Sequence, residues 1–308
     1  MEKKVLLAID DSRNTKQAIA YAVNLSLLVK NLSCTLFHVQ PAISQFLTDD
    51  AKSDFRAQSA LEKLKRKNME AAQTMLEQCK TMMCEMGIAE NCIDLKSVPR
   101  NMGLAKDIID YAQEKKYDAI ITGRRGLTRM QEVFMGSTTK KLVDHSKVTP
   151  LWIVDGKVAS NRILIAIDGS ESALRAVDHL SFIMENNTDV SITLFHVIPI
   201  FRDYCPIDFD ETDSDMQYII SQGEKKCVEK FFVHAFRKFA KAGIAREQIQ
   251  IKEVSQRNIG KAIIDEMQQE HYGTVVVGRR GQNSAFFMGS VSTYVLDRAS
   301  DCALWLVP

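Results

Sequence analysis

The sequence predicts an α/β protein of two doubly wound, Rossmann-like domains in tandem, each built on a parallel sheet. Three observations carry this expectation: a length suited to two domains, an internal repeat running through the chain, and alternation of strand-like apolar runs with helical stretches. At 308 residues the chain exceeds one average domain and leaves each half large enough to bury its own core.

The repeat is the strongest organisational signal. Val5-Leu-Leu-Ala-Ile-Asp10-Asp-Ser12 returns as Ile163-Leu-Ile-Ala-Ile-Asp168-Gly-Ser170, and Thr35-Leu-Phe-His38-Val39 as Thr193-Leu-Phe-His196-Val197. Gly123-Arg-Arg-Gly126 returns as Gly278-Arg-Arg-Gly281, and Phe134-Met-Gly136-Ser137 as Phe287-Met-Gly289-Ser290. Order is kept while the spacing drifts, as expected of a duplication followed by loop change. The polar stretch Asp155-Gly156-Lys157 to Ser160-Asn161 has no strand pattern and reads as a linker, giving domains 1–156 and 161–308.

Apolar runs bounded by turn residues predict strands near 4–9, 34–39, 93–98, 118–122 and 150–154. In the second half they fall near 162–167, 191–198, 249–254, 274–277 and 303–307. Ala119-Ile-Ile-Thr122 and Thr274-Val-Val-Val277 are continuously apolar, as in a parallel sheet covered on both faces. Ala173, Val177, Leu180 and Met184 form one helical stripe, and Val228, Phe232, Ala235 and Phe239 another. Residues 56–87 and 213–243 are helical by composition. Such alternation implies right-handed crossovers.

Composition removes several classes of function. With 40 Lys and Arg against 39 Asp and Glu, the net charge is +1, without the basic surplus of a nucleic-acid binder or an acidic-membrane binder. No stretch has the length and apolarity of a secretory core or a membrane span, so a cytoplasmic location is expected. Cys34, Cys79, Cys84, Cys92, Cys205, Cys227 and Cys302 show no Cys-x-x-Cys pair, and free thiols are expected. His38 and His196, on apolar strands, read as satisfied core histidines, and His145, His179, His234 and His271 lack metal-ligand spacing.

Ligands of doubly wound sheets bind beyond the carboxyl ends of the strands, where strand order reverses. The repeated motifs fall there. Gly123-x-x-Gly126, nine residues and then Gly136-Ser137-Thr138-Thr139 follow the fourth strand. Glycines let backbone approach a phosphate closely, and a Gly-Ser at a helix start offers N–H groups, a hydroxyl and the positive dipole end. Glycines also make turns and Ser also caps helices; recurrence after equivalent strands favours phosphate binding. Asp10 is a ligand contact or a helix cap, with Asp11 and Ser12 as alternative caps. Arg124, Arg125, Arg279 and Arg280 fit either phosphate partners or solvated loop charges.

Both halves resemble the universal stress protein family, in its ATP-binding branch, whose signature is Gly-x-x-Gly, nine residues, then Gly-Ser/Thr. The Asp after the first strand, the His-Val after the second and the closing strands Pro150-Leu-Trp-Ile-Val154 and Ala303-Leu-Trp-Leu-Val307 carry the resemblance over nearly the whole chain. It implies five parallel strands and about four helices per domain, paired through the last strands as an internal pseudo-dimer, with further homodimerisation left open. It also implies ATP or another adenine nucleotide as ligand, with or without Mg2+.

Carried over by position, Ala8, Ile9 and Asp10 would meet the adenosine and Val39 the adenine edge. Gly123, Gly126, Gly136, Ser137, Thr138 and Thr139 would hold ribose and phosphates. The second-half counterparts are Asp168, Val197, Gly278, Gly281, Gly289, Ser290, Val291 and Ser292. There only seven residues, 282–288, separate the glycine pairs, so the second site is expected to bind more weakly. The sequence shows no Walker A loop, G-x-G-x-x-G, H-E-x-x-H or G-x-S-x-G, and no catalytic residue or resident metal is expected. The expected function is that of an ATP-binding stress-response regulator, with a slow ATPase or adenylyl-group enzyme and a nucleotide-free scaffold as the alternatives.

Overall fold

The computed structural model describes residues 1–124, 135–199, 214–280 and 288–308. The chain forms two compact units, the division along the sequence falling between Lys157 and Val158.

In the first unit the strands are β1 (Lys3–Ala8), β2 (Leu32–Val39), β3 (Ile93–Val98), β4 (Ala119–Gly123) and β5 (Leu151–Val154). Their order is β3-β2-β1-β4-β5 and every pairing between them is parallel. The helices are α1 (Arg13–Leu28), the short α2 (Gln45–Asp50), α3 (Phe55–Glu85), α4 (Leu104–Glu114) and α5 (Ser137–His145). The second unit repeats the plan. Its strands β6 (Arg162–Ile167), β7 (Ser191–Pro199), β8 (Ile249–Gln256), β9 (Thr274–Gly278) and β10 (Ala303–Val307) stand in the order β8-β7-β6-β9-β10, again parallel. Its helices are α6 (Glu171–Ile183), α7 (Ser214–Lys241), α8 (Ile259–Gln269) and α9 (Ser290–Arg298).

Residue type follows position in the sheet. Strands β4 and β9, flanked on both sides within their units, are buried at four of their five residues. Strands β3 and β8 stand at an edge of their units and bury only their first residues, Ile93 and Ile249, the rest being half-buried or exposed, with Lys96 and Lys252 among them. Helices cover both faces: Ala173, Val177, Leu180 and Met184 are all buried, as their spacing predicted. On α7, Val228, Ala235 and Phe239 are buried as predicted, and the stripe departs at one position. Phe231 takes the buried place, while Phe232 is half-buried and stacks on Phe236 with ring centroids 6.4 Å apart.

Pairs of side chains repeat along with the strands. Tyr117 Oη donates to Thr35 Oγ1 over 2.8 Å, and Tyr272 Oη to Thr193 Oγ1 over 2.9 Å. His38 Nδ1 donates to Ile9 O over 2.9 Å and His196 Nδ1 to Ile167 O over 3.1 Å, so one ring nitrogen of each histidine is paired with backbone, and both rings are half-buried rather than in the core. The cysteines other than Cys205, which lies outside the described residues, are free thiols.

Candidate nucleotide-binding site

In each unit the sheet order reverses between two strands: β1 and β4 in the first, β6 and β9 in the second. In doubly wound sheets a crevice forms beyond the carboxyl ends of such strands, because the crossovers leave to opposite faces. Asp10 follows β1 and Gly123 ends β4, so the two flank the first crevice; Asp168 and Gly278 flank the second. Val39 closes β2 next to β1, and Val197 is the equivalent on β7. Both valines are buried, so a ligand there would meet only their edges.

The turn after β1 is braced by its own side chains. Asp10 Oδ1 accepts from Thr15 Oγ1 at 2.7 Å and from Ser12 N at 3.2 Å. Asp10 N donates to Thr15 Oγ1 over 3.1 Å. Helix α1 is capped by Ser12, whose Oγ accepts from Thr15 N at 3.3 Å. In the second unit Ser170 Oγ accepts from Ala173 N at 3.1 Å, while Asp168 Oδ1 accepts from Ser170 N at 3.0 Å. The serines are thus the caps, and the aspartates hold the turns at the crevice. Ile9 has little backbone capacity left for a ligand. Its N–H donates to Phe37 O over 2.8 Å, and its carbonyl accepts from His38.

Helix α5 enters the crevice from the β4 side. Its first intrahelical bond runs from Lys140 N to Gly136 O, 2.9 Å, so the N–H groups of Ser137, Thr138 and Thr139 precede the ladder. Gly136 supplies no side-chain cap, and no acidic residue occupies the first turn. Helix α9 matches it: Thr293 N donates to Gly289 O over 2.9 Å, with Ser290, Val291 and Ser292 ahead of it and no acid there. An acid-free, uncapped helix start keeps its positive dipole end unneutralised. Ser137 and Ser290 are exposed, but Thr139 and Ser292 are buried. Thr139 Oγ1 donates to Gly123 O over 2.9 Å and Ser292 Oγ to Gly278 O over 2.7 Å. Those two hydroxyls tie the helix start to the strand end, and that is their place in the geometry.

Gly136 and Gly289 lie in extended conformations open to any residue, φ −57° and −64°. Gly123 and Gly278 serve close packing: a Cβ on Gly123 would fall 2.6 Å from Asn14 Cβ, and one on Gly278 2.6 Å from Ser172 Oγ. Gly126, Gly281 and most of the segment between each glycine pair lie outside the described residues. The bases of the two segments are alike. Gly136 N donates to Arg124 O over 3.0 Å and Gly289 N to Arg279 O over 3.0 Å. The two-residue difference is therefore confined to the chain above this shared hydrogen bond.

Two arginines differ from a solvated loop charge. Arg124 and Arg279 are 7% and 4% exposed, and their backbone N–H groups extend the sheet by donating to Val154 O (2.9 Å) and Val307 O (2.6 Å). Arg124 also faces Asp155, with Nη1 and Oδ2 3.5 Å apart. Sequence reasoning missed this pair, since nothing local links positions 31 residues apart.

Fold and crevices together define a tandem Rossmann-like α/β protein with a helix start at the switch point of each unit. The universal stress protein family model matches residues 1–155 and 160–308, and the chain belongs to that family, as a tandem member and a stress-response protein. A universal stress protein of Methanocaldococcus jannaschii is 26% identical over 145 residues, 47% of this chain and 77% of the relative. Universal stress protein YxiE of Bacillus subtilis is 24% identical over 154 residues, 50% of this chain and 99% of the relative. A crystal structure of a universal stress protein from Archaeoglobus fulgidus has the same fold over 99% of this chain and 97% of its own, with a TM-score of 0.65 at 20% identity. Among the described residues no helix is long and apolar enough to cross a membrane.

Proposed function

We propose that this protein binds an adenine nucleotide, ATP foremost, at the first-unit crevice and more weakly at the second, and that occupancy regulates its part in the stress response. One observation carries the reading. Two equivalent helix starts, each uncapped by a side chain and free of acids, stand at the switch points beside an aspartate-braced turn. Anions are favoured at such a start by the helix dipole and by N–H groups that have no carbonyl partner in the helix. Ser137 and Ser290 add an exposed hydroxyl each.

In this reading Ser137, Thr138 and Thr139 present backbone N–H groups to the phosphates. Asp10 and Val39 border the nucleoside, and Thr139 holds the helix start in place through Gly123. Mg2+, where it accompanies the nucleotide, is held largely by the phosphates themselves and by water. Mass spectrometry of nucleotide released by heat or acid from purified protein tests the reading, with calorimetry against ATP, ADP and AMP. Release of ATP with tight rebinding is expected; a protein that carries none and binds none overturns it.

A further inference from the structure

Arg124 stands where three parts of the first unit meet. Its N–H donates to Val154 O over 2.9 Å at the end of β5, and its carbonyl accepts from Gly136 N at 3.0 Å, at the base of α5. Its guanidinium lies 3.5 Å from the Asp155 carboxylate, the two side chains being only 9% and 21% exposed. Asp155 is the first residue beyond β5 and opens the connection to the second unit. Gly156 follows with φ +64°, a left-handed turn that other residues adopt only with strain, and Lys157 after it is exposed. The second unit has the same backbone bonds at Arg279, but the position matching Asp155 is Pro308, without a charged side chain.

We propose that Arg124 is a positioning residue that couples the helix start of α5 to the connecting segment, so that nucleotide at the first crevice and order at Asp155–Lys157 favour each other. The proposal rests on the nucleotide reading above. A ligand drawing the Ser137–Thr139 N–H groups toward its phosphates fixes Gly136, which holds the Arg124 carbonyl and so the stretch of backbone from which the guanidinium reaches Asp155. A largely buried ion pair is sensitive to small displacement, because a misplaced charge there loses its partner without regaining full hydration. Coupling between two sites is reciprocal, so whatever loosens the pair must weaken the ligand by the same factor.

The test uses the full chain. Calorimetry gives the ATP affinity, and trypsin cleavage after the exposed Lys157 is timed with and without saturating ATP. We expect ATP to slow that cleavage by about fivefold or more. Asp155→Asn should remove the protection and weaken ATP binding by a matching factor, while Asp155→Glu, which keeps the charge, retains both. Arg124→Gln, read the same way, checks the pair from its other side should Asp155→Asn fail to fold. ATP binding with cleavage at Lys157 unchanged, or full protection surviving in both charge-removing variants, overturns the coupling and leaves the nucleotide site standing. Absence of ATP binding in the unmodified protein overturns both.

Discussion

Gly123 and Asn14 are packed so closely that no side chain fits between them: a Cβ on Gly123 would lie 2.6 Å from Asn14 Cβ and 2.9 Å from its carbonyl oxygen. Part of the obstacle is backbone of helix α1, which cannot swing aside. Gly123→Ala should therefore destabilise the first unit by about 1–3 kcal/mol, the usual cost of overpacking. Denaturant melts of the single variant check this. Gly278→Ala meets Ser172 Oγ first, at 2.6 Å, with Ser172 backbone at 3.0 Å, so it should cost somewhat less.

Gly136→Val should leave the fold intact and weaken ATP binding by at least about tenfold. Its φ of −57° and ψ of 146° suit any residue, so the added side chain acts by filling space where phosphate would approach. Calorimetry on the variant, with a melt to show it is folded, checks the expectation. Unchanged affinity would remove this loop from the site.

The first site should be the stronger of the two. The segments share the hydrogen bond at their base, so the second is shorter by two residues only above it, up to about 7 Å of reach. Gly136→Val should thus remove more ATP binding than Gly289→Val. The opposite order of effects would reverse the ranking.

His179 should make the second unit less stable in mild acid. Desolvation lowers the pKa of this half-buried ring, which lies beside Trp305 with ring centroids 5.7 Å apart, from 6.5 to about 4. The unfolded chain then takes up a proton near pH 6.5 and the folded one only near pH 4. Stability from the neutral ring is whole above pH 6.5 and drains away as pH falls toward 4, by at most about 3 kcal/mol. His179→Gln should flatten the pH dependence across that window, measured as denaturant midpoints at pH 7 and pH 5.

Thiol reactivity should follow burial. Cys34 is buried on β2 and its pKa is pushed up to about 12, chiefly by burial, whereas Cys227 is exposed on α7. Brief alkylation of the native protein at pH 8 should label Cys227 and spare Cys34, read by peptide mass spectrometry. Equal labelling would show that the β2 core opens readily.

Much of the architecture is local information and was legible as such. Duplication, strand positions and the stripes on α6 are set by residue periodicity, because a chain must present apolar side chains at the spacing of its own helix or strand. The placement of Asp10, Gly123 and Gly136 at strand ends and a helix start was readable for the same reason. Tertiary structure alone decided what each residue does there. Ser12 rather than Asp10 caps α1, Gly123 is required by the approach of Asn14, and Thr139 spends its hydroxyl on a strand carbonyl. Arg124 is buried against Asp155, and Phe231 displaces Phe232 from the core. Each of these outcomes depends on which groups from distant positions close around a side chain, and so on the packing of β4, β5 and their helices, which no short window of sequence contains.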